Sequence, residues 1–182
     1  MPFRRNADRR RREDAAHDLY AGVVAQARQP FFYSCLGVPD TLDGRFDALV
    51  AHAFLLMRRL GAAQAGEDAR LLSQAVFDLM FADMDQNLRE LGVSDMSVGK
   101  KVRQMVEAFY GRIAAYEAAI EAGGGALAEA VARNLYRGSP PTPEAADGMA
   151  AYLRRQTVHL DLQPLDALLA GRVAWLAPEA AG

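Results

Sequence analysis

Residues 77–120, FDLMFADMDQNLRELGVSDMSVGKKVRQMVEAFYGRIAAYEAAI, read as two long helices joined by a short turn. The first helix ends near Leu91, because Gly92 can take the left-handed conformation that closes a helix. The second starts at Ser94 or Ser97, whose hydroxyls can accept from the free N–H groups of the first turn. At about 100° per residue, Val98, Val102, Met105, Val106, Phe109, Ile113, Tyr116 and Ile120 share one stripe, as a helix lying on a core requires. Along the first helix, Phe77, Phe81, Met84, Leu88 and Leu91 form one seam, and Leu72, Val76 and Leu79 form a second. The second seam's line turns polar at Asp83, Asn87 and Glu90. Asp85 and Arg89 lie on a third face, spaced i, i+4 with the acid first, the favourable order for a surface pair.

Working outward, the chain has 182 residues, 51% of them hydrophobic, enough for one well-formed core. Helical periodicity far outweighs β-branched runs, so the fold class is all-α: a single domain of about six to seven helices. The net charge of −2 gives the whole chain no strong pull toward nucleic acid or anionic lipid. The single cysteine, Cys35, excludes an internal disulfide. Its neighbours supply no base, so it is expected as a small buried or half-buried residue rather than a nucleophile. No stretch is long and apolar enough to span a bilayer, and the N-terminus has no secretory signal. These features predict a soluble, cytoplasmic protein that can touch a membrane only peripherally.

Residues 1–13 carry Arg4, Arg5 and Arg9 to Arg12 and read as a basic, flexible arm. Such an arm is either solvated or an electrostatic contact with anionic lipid or ribosomal RNA. Residues 14–176 make the helical domain, and 177–182 a tail. The first helix of the domain runs from about Asp14 to Ala27, with Leu19, Tyr20, Val23 and Val24 inward. Of the adjacent aromatics Phe31, Phe32 and Tyr33, two are expected in the core and one exposed. The segment 41–61 is capped by Asp40 or Thr41 and closed by Gly61. Its apolar residues spread over a wide arc, with Leu55 opposite, so this helix is central or carries a second surface. His52 borders the arc and is expected as a hydrogen-bonded core-edge residue. Gly123–Gly125 break the chain before a helix over 126–136. Thr142 and Pro143 start another helix that runs to about Leu160. A short helix follows Pro164, and Trp175 and Leu176 fold back onto the body.

No phosphate-binding, zinc, redox or hydrolase motif is present. Asp83 and Asp85 point about 200° apart on a helix and cannot share one metal ion. Asp83, Asn87 and Glu90 share a face but have no evident partner ligands. That face is either paired with Arg45, Arg103 or Arg112 or forms a polar recognition site beside an apolar groove. Behind the second helix, Ala108, Gly111, Ala115 and Ala118 make a strip without bulk. It suits close approach by another helix, internal or from a partner.

The runs D-M-D-x-x-L-R-E-x-G-V-x-D-x-x-V, from Asp83 to Val98, and A-F-Y-G-R-x-x-A-Y, from Ala108 to Tyr116, are long and specific. With the helix over 44–60, they resemble the ubiquinol–cytochrome c chaperone family over roughly residues 19–120. The resemblance implies a non-enzymatic, bacterial assembly factor for respiratory complex III, with no cofactor. Its implied client is newly made cytochrome b or another hydrophobic membrane protein. Mitochondrial members work near the ribosomal exit tunnel with a small partner protein. The residues that match the family pattern are Asp83, Asp85, Leu88, Arg89, Glu90, Gly92, Asp95, Phe109, Tyr110, Gly111, Arg112 and Tyr116. They are the candidates for client or partner binding. The alternative is a ribosome- or nucleic-acid-associated protein acting through Arg9–Arg12.

Overall fold

The computed structural model describes residues 2–179, with side chains from Asn6 onward. Among them the fold is all-α: α1 (Pro2–Ala27), α2 (Pro30–Ser34), α3 (Leu42–Leu60), α4 (Gly66–Glu90), α5 (Asp95–Ala122), α6 (Ala126–Leu135), α7 (Pro143–Asp161) and α8 (Leu165–Leu169). A one-turn 3-10 helix, Ala63–Ala65, precedes α4.

The helix α3 is the hub. It packs against α1, α4, α5, α6 and α7, and 13 of its 19 residues are buried. Two cores form on its two sides. Phe46, Leu49, Val50, Ala53, Leu56 and Leu60 face α1, α4 and α8. Ala48, Ala51, Phe54 and Leu55 face α2, α6 and α7. Leu55, opposite the main arc in sequence, is buried because it belongs to this second core. Thr41 caps α3 by accepting from the Gly44 N–H at 3.1 Å, and Gly61 ends it.

Gly44 lies where the chain turns into α3. A Cβ there would stand 2.0 Å from the Pro39 carbonyl oxygen. Alanine normally favours a helix over glycine by about 1 kcal/mol, but here the backbone itself would have to move. Gly44→Ala is therefore expected to lower stability by about 1–3 kcal/mol, read as a fall in the urea midpoint. An unchanged or raised midpoint would refute the clash.

The hairpin of α4 and α5 forms as its sequence indicates. Leu91 caps α4 and Gly92 follows at φ +81°. Ser94 occupies the N-cap position of α5, but its hydroxyl bonds Ser97 Oγ at 3.1 Å instead of the backbone. Val98, Phe109 and Tyr116 of the expected stripe are buried, while Val102, Met105, Val106, Ile113 and Ile120 are half-buried. Gly123, at φ +69°, ends α5 at the predicted break. On the strip behind α5, Gly111 and Ala118 are exposed and Ala108 and Ala115 half-buried, and a Cβ at Gly111 would meet nothing within 4 Å.

Three expectations change. The helix α1 begins at Pro2 rather than near Asp14, so the Arg-rich stretch read as an arm is its first turns. Arginine and alanine favour helix, and Arg9 pairs with Glu13 one turn on, at 2.7 Å. Cys35 is exposed rather than buried, because α2 ends at Ser34 and turns it outward. Of the three aromatics, Phe32 is buried and Phe31 and Tyr33 are both half-buried, since α2 lies on its side against the second core.

The C-terminal segment closes the fold. Gln163 exchanges two hydrogen bonds with the backbone of Ala174, at 2.7 and 2.9 Å. Gln156 does the same with Leu176, at 2.8 and 3.3 Å, and Gln26 of α1 donates to the Leu176 carbonyl at 2.9 Å. Trp175 packs edge-on to His52 with ring centroids 5.8 Å apart.

Candidate client groove

Four helices meet around an open groove of about 660 Å³. The second half of α1, the start of α3, the end of α4 and the middle of α5 form its walls, with Arg137 beyond α6 at one end. Its apolar lining includes Val24, Phe46, Leu49, Met84, Leu88 and Met105. On the lip, Leu42 and Leu91 are 64% and 63% exposed.

Each wall follows from a local feature. Met84 and Leu88, late in the α4 seam, line the opening across from Val24 of α1. The adjoining polar line places Asp83, Asn87 and Glu90 on the same wall. Asp83 is half-buried and accepts from the Tyr20 hydroxyl at 2.7 Å. Burial, with Asp83 next in effect, raises the Tyr20 phenol above its ordinary pKa. Asn87 donates to the Asp83 carbonyl at 2.8 Å, and Glu90 accepts from Gln86 at 3.0 Å. The pairing of this face with Arg45, Arg103 or Arg112 does not form: Tyr20 holds Asp83, Arg45 pairs with Asp40 and Arg112 with Asp47. Among the described residues no three His, Cys, Asp or Glu side chains gather as a metal site.

The floor holds a buried ion network that joins α3, α5 and the segment after α6. Asp47 of α3 is 1% exposed and the Arg112 side chain 6%, and they pair at 2.8 Å. Arg137 grips the same carboxylate through Nε at 2.9 Å and Nη2 at 3.3 Å, a two-pronged contact. Arg112 also donates to the Ala108 carbonyl at 2.9 Å and lies over the Phe46 ring. Burial raises the Asp47 carboxyl above its ordinary pKa, and the two guanidinium groups oppose that rise. With both arginines in contact, the carboxylate stays ionised at neutral pH.

The candidate residues thus divide. Asp83, Leu88, Glu90 and Arg112 come together on the groove. Arg89 bonds Asp85 at 2.6 Å and also reaches Asp95, so these three clamp the α4–α5 turn outside the groove. Phe109 and Tyr110 join Phe77 and Phe81 in an aromatic cluster on the far side. There Tyr110 lines a smaller hollow and is 56% exposed. Gly111 is exposed and apart, and Tyr116 is buried against Phe54 in the second core. Tyr20, Leu42, Asp47, Lys101 and Arg137 complete the groove or its floor and are not singled out by sequence. Asp47 alone leaves a trace there, as an acid inside the most apolar helix of the chain.

Residues 34–175 match the family described as Ubiquinol-cytochrome C chaperone. The chain is 28% identical over 162 residues to the Xenopus laevis ubiquinol-cytochrome-c reductase complex assembly factor 1, covering 88% of this chain and 80% of that protein. It is 27% identical over 163 residues to the human assembly factor 1, covering 88% of this chain and 54% of the human protein. The chain therefore spans about half the length of the human relative. The crystal structure of the Cbp3 homolog from Brucella abortus is similar at a TM-score of 0.83 and 35% identity, over 96% of this chain and 94% of that one. Fold, motifs and relatives agree: the chain belongs to the ubiquinol-cytochrome C chaperone family.

Proposed function

We propose that this chain is an assembly chaperone of the cytochrome bc1 complex that holds cytochrome b, or a similarly hydrophobic subunit, during biogenesis. The role is one of binding rather than chemistry. Membership of the family and the relatives' names as complex assembly factors support it. The observation that carries it to a site is the open apolar groove with Leu42 and Leu91 exposed on its lip. Leucines held in water beside an open cleft are what a partner surface requires. Among the described residues no helix is long and apolar enough to cross a membrane. In this proposal the client is met at the cytoplasmic surface of the bilayer.

A second reading, ribosome or nucleic-acid contact, rests on α1. Arg10 and Arg11 are exposed and make no ion pair among the described residues. Four consecutive arginines, Arg9 to Arg12, point in different directions around a helix, without the apolar face that a membrane-surface helix needs.

A pull-down from detergent-solubilised membranes of the native host separates these readings. Wild type is expected to recover cytochrome b. Leu91→Glu, on an exposed position that leaves the fold intact, is expected to reduce recovery by about tenfold, the loss of one buried leucine contact plus a misplaced charge. Equal recovery by both proteins would remove the groove from the reading. Recovery of ribosomes alone, lost as salt is raised, would favour the α1 reading.

A further inference from the structure

The charge around the groove is unevenly divided. Asp83 and Glu90 lie on the α4 wall, each already holding a hydrogen-bond donor. The other walls carry Arg28, Arg45, Lys101, Arg112 and Arg137, of which Arg45 is paired with Asp40. On the floor, two arginines share the one carboxylate of Asp47, so positive charge exceeds negative by one within contact distance. Asp43, also on the lining, makes no ion pair among the described residues, but its charge reaches both Asp47 and Arg137; being exposed, it is screened by water and offsets the excess only in part. Arg112 is more than nine-tenths buried and its Nε has no hydrogen-bond partner. Arg137 is different: its side chain is 45% exposed, and Nε and Nη2 serve Asp47 while Nη1 makes no hydrogen bond among the described residues.

An apolar cleft screens charge weakly, so an excess cation on its floor attracts an anion far more strongly than one on open surface. A neutral occupant would cover the arginine pair and leave its charge only half compensated. The walls themselves are helix faces, whose ridges and grooves fit a further helix. We infer that the segment this groove holds is an apolar helix bearing one carboxylate, received by the exposed edge of Arg137 with Arg112 behind it. The inference rests on the groove reading above and names the chemistry of its occupant.

The probes are two fluorescein-labelled 18-residue Ala/Leu helical peptides with Ser-Gly ends, identical except for a central Glu in one and Gln in the other. Anisotropy titrations use the full chain. The Glu peptide is expected to bind about tenfold more tightly than the Gln peptide, the effect of one charge-assisted hydrogen bond. Arg137→Gln, which leaves Asp47 paired with Arg112, is expected to bring the two affinities within about twofold. Lys101→Gln, which removes another cation from the same groove, is expected to preserve the preference. Equal binding of the two peptides by wild type overturns the carboxylate and leaves the groove standing. A preference that survives Arg137→Gln, or falls equally with Lys101→Gln, overturns its placement. Failure of both peptides to bind overturns the groove reading as well. A dimer in sedimentation that neither peptide dissociates would give the groove to a second copy of the chain and overturn the proposal.

Discussion

Asp47→Ala is expected to destabilise the domain by about 3–5 kcal/mol, a large part of the stability of a domain this size. The carboxylate removed is 1% exposed and is the ion partner of Arg112, whose side chain is 6% exposed. What the substitution leaves is a buried guanidinium whose charge has no counter-ion. That costs more than the ion pair contributes when it is intact. Arg137 behaves differently, because its exposed side chain can turn to water. The double variant Asp47→Leu/Arg112→Met, which removes both charges and keeps apolar volume, is expected to recover most of the loss. Urea midpoints for Asp47→Leu, Arg112→Met and the double variant close the cycle. A loss under about 1 kcal/mol for Asp47→Ala would mean that Arg112 escapes through the groove, and the floor would then be pliable rather than fixed.

The second large effect is on pH dependence. His52 is fully buried, and its Nδ1 lies 2.8 Å from the Ala48 carbonyl. A carbonyl only accepts, so Nδ1 carries the proton and Nε2 accepts from the Tyr152 hydroxyl at 2.9 Å. Tyr152 in turn accepts from the Gln26 amide at 2.8 Å. The relay Gln26 to Tyr152 to His52 to Ala48 is complete with a neutral ring, and a second ring proton would break it. Burial lowers the His52 pKa to about 4, against an opposing hydrogen bond to Ala48. Between the ordinary value of 6.5 and about 4, the unfolded chain binds a proton that the folded chain refuses. This stability is complete above pH 6.5 and is lost as pH falls through that window, by roughly 3 kcal/mol in all. Carboxylates also titrate there, so the measurement is a comparison. Urea midpoints of wild type and His52→Gln, followed by the fluorescence of Trp175, are expected to fall with different slopes from pH 6.5 to 4. Parallel slopes would show that His52 takes up its proton without resistance.

Much of the fold is written in local signals. Thr41, Gly92, Gly123 and Thr142 mark helix ends because capping and left-handed turns depend on a few adjacent residues. The wide apolar arc of α3 announces a central helix, since only burial on both sides satisfies it. The groove is less legible. Arg112 stands out at the edge of the α5 stripe as an ion-pair candidate, but its partner is Asp47 on α3, not an acid on α4. Periodicity gives the direction a side chain takes from its own helix, not the register between two helices. Arg137 follows α6 in the chain and carries no periodic signal. The extended α1 was hidden for another reason: a charged run reads as solvated whether or not it is helical, and here an i, i+4 pair with ordinary propensity suffices.

The glutamine contacts to Ala174 and Leu176 also set a clock. The Leu176 carbonyl ties the segment after α8 to Gln26 in the first long helix, across 150 residues of sequence. Contacts of such separation form late, after the intervening chain has been ordered. On a ribosome releasing the chain from its N-terminus, Gln26 emerges early and must wait for Leu176 before this seam can close. Until then the second core around His52 and Tyr152 lacks its cover, however well the α4–α5 hairpin has already formed. Closure of this seam is thus a late step in building the domain, and a chain that stops short of Leu176 carries the groove helices without the strap that completes the body beside them.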